Sequence, residues 1–150
     1  MRKMLALVTL GVGLVSFLPA QSNDRLDELL AQAPARLDST AYLVLAAAGT
    51  VQEDAAPQTA FDTALAQGFI PKGSQPDGGV TVQTLSYLIM KALNVPGGLE
   101  WTFLPNPRAA YRELGYKKAV NTTAGPDRAV AGDEVVRTLT AAQNLKKVPS

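Results

Sequence analysis

The chain has no cysteine and no histidine. That removes Ser-His-Asp and Cys-His catalysis, zinc sites built from Cys and His, and histidine-ligated haem. Acids remain. Glu53 and Asp54 are adjacent in a polar stretch, the pattern of a solvated loop. Glu100 stands beside Trp101, the only tryptophan, and is the one acid with a neighbour suited to a sugar. A carboxylate-based glycan hydrolase needs a second acid roughly 5–10 Å away, and none is evident. The stretch Phe69 to Gly79 contains Gly, Lys and Ser, but not as the Gly-Lys-Ser/Thr run that a phosphate loop places directly ahead of a helix. Asp77-Gly78-Gly79 lacks the alternating acids of a calcium loop. These residues therefore assign no catalytic group, no cofactor and no metal.

What is left is chemistry of recognition. Arg36, Lys72 and Arg128 lie near predicted helix starts. Tyr116-Lys117-Lys118 sets an aromatic ring beside two cations, and Asn121-Thr122-Thr123 matches a glycosylation acceptor, a short pattern common by chance. Trp101 lies in a connection from Val95 to Asn106 with Leu99, Phe103 and Leu104. A tryptophan there either seals the core or offers a stacking platform, and its three apolar companions favour sealing. The binding candidates are Arg36, Lys72, Trp101 and Arg128. Net charge is +1, falling to −1 without Arg2 and Lys3, so no nucleic-acid partner is expected.

These residues must be held by helices. Hydrophobic residues make up 47% of the chain and charged ones 18%, a globular composition. The clearest element is Asp77 to Asn94. Asp-Gly-Gly is a turn signal, and Thr81 is an N-cap whose hydroxyl can accept an unpaired amide proton. Leu85, Leu88, Ile89, Ala92 and Leu93 then recur with the spacing of one helical face. Asn94 and Pro96-Gly97-Gly98 stop the helix. Further helices are expected over Asn23 to Ala33, Asp38 to Ala48, Thr59 to Gly68, Asn106 to Leu114 and Asp133 to Leu145.

Three of these segments resemble one another. A shift of 43 residues lays Leu37 to Tyr42 under Val80 to Leu85, and a shift of 50 does the same for Val130 to Val135. Tyr42, Leu45 and Ala46 then match Leu85, Leu88 and Ile89, and these match Val135, Thr138 and Leu139. Partial capping boxes pair Asp38 with Ala41, Thr81 with Thr84, and Ala131 with Glu134. A Gly-aromatic stop precedes the second and third copies, at Gly68-Phe69 and Gly115-Tyr116, and a Pro-Asp turn follows at Pro76-Asp77 and Pro126-Asp127. A period near 45–50 residues points to stacked supersecondary units. The fold expected is all-α, six helices in three helix-loop-helix repeats around one core.

Short helix, glycine, loop, Pro-Asp and then a Thr-capped helix resembles the S-layer homology (SLH) domain, over roughly Asp24 to Leu145. The resemblance implies a compact pseudo-threefold helical bundle that attaches to cell-wall polysaccharide in the bacterial envelope. The family's helix start reads Thr-Arg-Ala-Glu. Here the matching segments are Asp38 to Ala41, Thr81 to Thr84 and Ala131 to Glu134, and none has the arginine. Arg36, Lys72 and Arg128 are the residues placed to stand in for it.

Residues 1–22 have the form of a secretory signal peptide: Arg2 and Lys3, an apolar run of fifteen residues from Met4 to Leu18, then Pro19-Ala20-Gln21-Ser22. Cleavage after Ser22 or after Ala20 fits the small-residue rule, and an uncleaved anchor is the competing reading. The expected organisation is a leader over 1–22, a repeat domain over 23–145 and a tail over 146–150. The expected role is a non-enzymatic, exported protein of the periplasm or cell surface. Its partner is either cell-wall glycan or an envelope protein assembly, with no stable membrane insertion once the leader is gone.

Overall fold

In the computed structural model, residues 18–147 are described. Seven helices follow in order: α1 (Leu18–Leu30), α2 (Leu37–Ala47), α3 (Pro57–Ala66), α4 (Val82–Ala92), α5 (Leu99–Phe103), α6 (Pro107–Tyr116) and α7 (Gly132–Lys147). Among the described residues there is no β-strand, and the all-α expectation holds. The leader expected over residues 1–22 falls mostly outside the described residues. α1 begins at Leu18, within that stretch, and so crosses the boundary expected at residue 22. Lys146 and Lys147 belong to the last turn of α7 rather than to a tail. α5 is an added helix, inside the connection between α4 and α6. No described helix is long and apolar enough to cross a membrane.

The helices form because apolar residues recur at 3 and 4, and their faces meet in one cluster. α4 buries Leu85, Leu88 and Ile89 completely, and these meet Val44 and Leu45 of α2 and Leu114 of α6. α2 packs chiefly on α3, α4 on α6, and α1 on α7. Each longer helix therefore lies chiefly against a short helix other than the one that precedes it.

What ties the three segments together is backbone. Ala35 N–H donates to the Val130 carbonyl at 2.8 Å, Val80 N–H to Ala35 at 3.0 Å, and Val130 N–H to Val80 at 2.9 Å. The three bonds close a ring, and all three residues are buried. A second set lies alongside. Leu37 N–H donates to Gly78, Val82 N–H to Arg128, and Gly132 N–H to Gln32, each at 2.9 Å. Asp38 and Gln83 N–H then reach the Pro76 and Pro126 carbonyls at 2.8 and 3.0 Å. These donors are the first amides of α2, α4 and α7, which have no partner within their own helix. The loops before α4, α7 and α2 supply the acceptors for α2, α4 and α7 in turn.

This arrangement corrects the sequence alignment. Ala35, Val80 and Val130 take corresponding places in the ring, so the first shift is 45 residues, not 43. The N-cap of α2 is Arg36, extended at φ −82° and ψ 147°, with no side-chain cap. Asp38 lies inside the helix. Thr81 is the N-cap of α4 as expected, its Oγ1 accepting from Thr84 N–H at 3.3 Å. Gly68 does turn the chain after α3 at φ 71°, but Gly115 lies inside α6. There Lys118 takes the left-handed turn at φ 59°. Gly115 serves close approach instead: a Cβ would come within 2.4 Å of Thr122 Cγ2.

The corrected register puts Thr40, not Tyr42, in the place of Leu85 and Val135. Thr40 is fully buried, and its hydroxyl has no hydrogen-bond partner among the described residues. A buried hydroxyl without a partner costs on the order of 1–3 kcal/mol. Thr40→Val keeps the shape and removes the unpaired group. It should raise stability by about 1–2 kcal/mol, or the melting temperature by roughly 3–6 °C at this chain length. Thermal unfolding followed by circular dichroism checks this, and an unchanged or lower midpoint would refute the assignment.

Candidate functional site

The four sequence candidates do not converge. Arg36, at the start of α2, holds Asp38 in a two-pronged pair: Nε to Oδ1 at 3.1 Å and Nη2 to Oδ2 at 2.7 Å. Its side chain is 47% exposed and that of Asp38 is 12% exposed. The same carboxylate accepts Ser39 N–H at 2.7 Å. Arg128 does the equivalent at α7, with Nη1 to Glu134 Oε2 at 2.7 Å and Nη2 to Oε1 at 2.6 Å. Two-pronged charged pairs of this kind fix geometry as well as charge. Both guanidinium pKa values rise above the ordinary arginine value, through the hydrogen bonds to Asp38 and Glu134, with burial opposing. A raised arginine pKa gives stabilisation fully present below the ordinary value, so neither guanidinium makes stability pH-dependent near neutrality. Each arginine thus braces a carboxylate in the first turn of its helix.

Lys72 is exposed in the loop before α4, with no ion pair or side-chain hydrogen bond among the described residues. Trp101 lies at the opposite end of α4. Its ring meets Tyr87 edge-on, centroids 5.8 Å apart at 77°, and Lys91 Nζ lies 5.7 Å from both rings. The core-sealing expectation is correct for Trp101 alone. Leu99, Phe103 and Leu104 are 78%, 74% and 70% exposed. Leu99 and Phe103 are four residues apart and share one side of α5, while Trp101 turns the other way.

Arg128 lines a groove of about 830 Å³ between the loop after α6 and the start of α7. Lys118, Thr122, Glu134 and Arg137 line it as well. The loop wall is fixed by Tyr111, whose hydroxyl donates to the Thr122 carbonyl at 2.9 Å. Arg128 is paired with Glu134 and Arg137 with Asp133, which leaves Lys118 as the lining cation with no ion pair among the described residues, so the lining carries a small excess of positive charge. Sequence reading found Arg128 and noticed Lys118 beside Tyr116. It missed Arg137, whose signal is its place one turn beyond Asp133, which it pairs at 2.9 Å.

A second cleft, about 340 Å³, is lined by Trp101, Lys91, Asn94 and Thr102. Glu100 lines neither cleft; it pairs with Arg112 on the surface. Glu113 accepts Gly98 N–H at 3.0 Å and pairs with Lys117 at 3.4 Å. Among the described residues no cluster of three or more His, Cys, Asp or Glu could hold a metal. What the large groove can do chemically is bind an anion or a hydroxyl-rich chain by hydrogen bonds and charge.

No protein-family model, curated protein or solved structure matches this chain.

Proposed function

We propose that the protein is a non-enzymatic module of the bacterial cell envelope, similar to an S-layer homology domain, that binds an anionic cell-wall glycan. In this reading residues 23–145 form three repeats and the protein acts outside the cytoplasm. The observation that supports it most is the closed ring of backbone hydrogen bonds through Ala35, Val80 and Val130. Three repeats that donate to one another in a cycle form one compact body, and the groove beside Arg128, within the third of them, carries the excess positive charge. Arg128 there takes the part of the family arginine missing from the helix start.

The test is co-sedimentation of the protein with isolated cell-wall sacculi, before and after their attached polysaccharide is stripped. Binding should be lost on stripping. Lys118→Ala with Arg137→Ala should weaken it at least about tenfold, as expected when two charge-assisted hydrogen bonds are removed. Lys118 is exposed, and the Arg137 side chain is 73% exposed, so the fold should survive the double change. Equal binding by wild type and variant refutes the groove. No binding to either preparation favours the alternative, a subunit that docks on an envelope protein.

A further inference from the structure

α5 presents an apolar surface that the glycan reading does not use. Leu99 and Phe103 stand on one side of the helix, and Leu104 follows at its end. All three are at least 70% exposed. They are held out by a fixed frame, because Trp101 on the other side is packed against Tyr87, Glu100 pairs with Arg112, and Gly98 N–H donates to Glu113. The neighbouring charge is positive. Glu100 and Glu113 are each taken by a cation, Arg112 and Lys117. Arg108, exposed four residues beyond Leu104, has no ion pair among the described residues, whereas Lys91 lies against the Tyr87 and Trp101 rings on the other side of α5. The patch is therefore two leucines and a phenylalanine beside one uncompensated cation.

Two occupants fit an exposed apolar patch of this kind, and area separates them. The three side chains expose roughly 400 Å² together. A contact between two copies through this patch alone would bury about 800 Å², the range of non-specific contacts rather than stable dimers. A lipid surface needs much less. A few side chains such as Leu and Phe sink into the acyl boundary while flanking Lys and Arg meet anionic headgroups. We propose that α5 docks the protein superficially on an anionic lipid surface, with Leu99, Phe103 and Leu104 inserted and Arg108 at the headgroups. This goes beyond the glycan reading and stands or falls separately.

Trp101 reports the contact directly, being the only tryptophan and lying on α5 itself. The full-length chain is mixed with vesicles of equal parts phosphatidylglycerol and phosphatidylcholine carrying brominated acyl chains, and quenching of Trp101 is measured. Quenching is expected with the anionic vesicles, and partitioning about fivefold or more weaker with phosphatidylcholine alone. Leu99→Ser with Phe103→Ser, both at exposed positions, should abolish the quenching. That variant keeps the N-terminal apolar run, so a loss of quenching in it is assigned to α5 and not to tethering by that run. Arg108→Gln should weaken partitioning about fivefold. Absence of quenching, or quenching that survives the double serine change, overturns the proposal. Equal quenching by both vesicle types overturns recognition by charge. An emission shift that depends on protein concentration without lipid, and disappears in the serine variant, assigns the patch to a second copy and overturns it too.

Discussion

Replacing Gly132 by alanine is expected to destabilise the protein by about 3 kcal/mol or more. Helix propensity alone points the other way. Alanine in a helix is better than glycine by up to about 1 kcal/mol, so a gain is the default expectation at the start of α7. Close approach decides the sign. A Cβ at Gly132 would lie 1.7 Å from the Leu29 carbonyl oxygen, 2.6 Å from its carbon and 3.2 Å from Leu30 Cα. All three are backbone atoms, so no side chain can swing aside. The only relief is to slide α7 away from the end of α1. That breaks the Gly132 to Gln32 hydrogen bond of 2.9 Å and lifts Leu29, which is 1% exposed, out of its site. The melting temperature should fall by at least roughly 6–12 °C at this chain length. A Gly132→Ala protein that melts within about 2 °C of wild type would mean that α1 does not sit against α7 as described.

Val80→Pro is the second large effect, and it tests the hydrogen-bond ring itself. Val80 N–H donates to Ala35, and the Val80 carbonyl accepts from Val130. Both Val80 and Ala35 are fully buried. Proline removes the donor and puts ring carbon where the hydrogen was, against an acceptor only 3.0 Å from the nitrogen. The Ala35 carbonyl is then buried without a partner, a cost of about 1–3 kcal/mol, and the two segments must also separate. The total should reach about 4 kcal/mol. Val80→Ala serves as the comparison, since it keeps the N–H and loses only two methyl groups, about 2 kcal/mol. Urea unfolding of both variants measures the difference. Equal midpoints would show that the ring adds nothing to stability.

Much of the fold is legible locally. α4 shows this best: Leu85, Leu88 and Ile89 are spaced for one face, and all three are buried. Thr81 caps it through an amide three residues away. Such signals work because donor, acceptor and apolar face lie within two turns of one another. The start of α2 breaks the rule for a physical reason. Its first two amides are satisfied by Gly78 and Pro76, about forty residues on, and the third, Ser39 N–H, by the Asp38 carboxylate, so no capping side chain is needed at Arg36. An Asp two positions later then imitates a cap, and the alignment slips by two. The Pro-Asp turns at residues 76 and 126 were seen, but not their use as carbonyl acceptors for neighbouring helices.

The candidate sites divide in the same way. Arg128 was legible as a cation ahead of a helix start; that it braces Glu134 and shares a groove with Lys118 and Arg137 was not. Trp101 was legible as an unusual residue in a Pro- and Gly-rich connection. Its companions were expected inside because Leu and Phe prefer burial. They are outside because α5 is short and can turn only one side to α4, which Trp101 takes.

By itself, then, the sequence determined the helices other than α5, their apolar faces and the absence of cysteine and histidine chemistry. These depend on residue type and on spacings of three and four. Only the tertiary structure decided the register between the three segments, the partners of the first helical amides, the cation groove and the outward face of α5. The register and the amide partners depend on backbone brought together across about forty residues or more, and the groove and the set of α5 on contacts between different elements, where no helical spacing carries a signal.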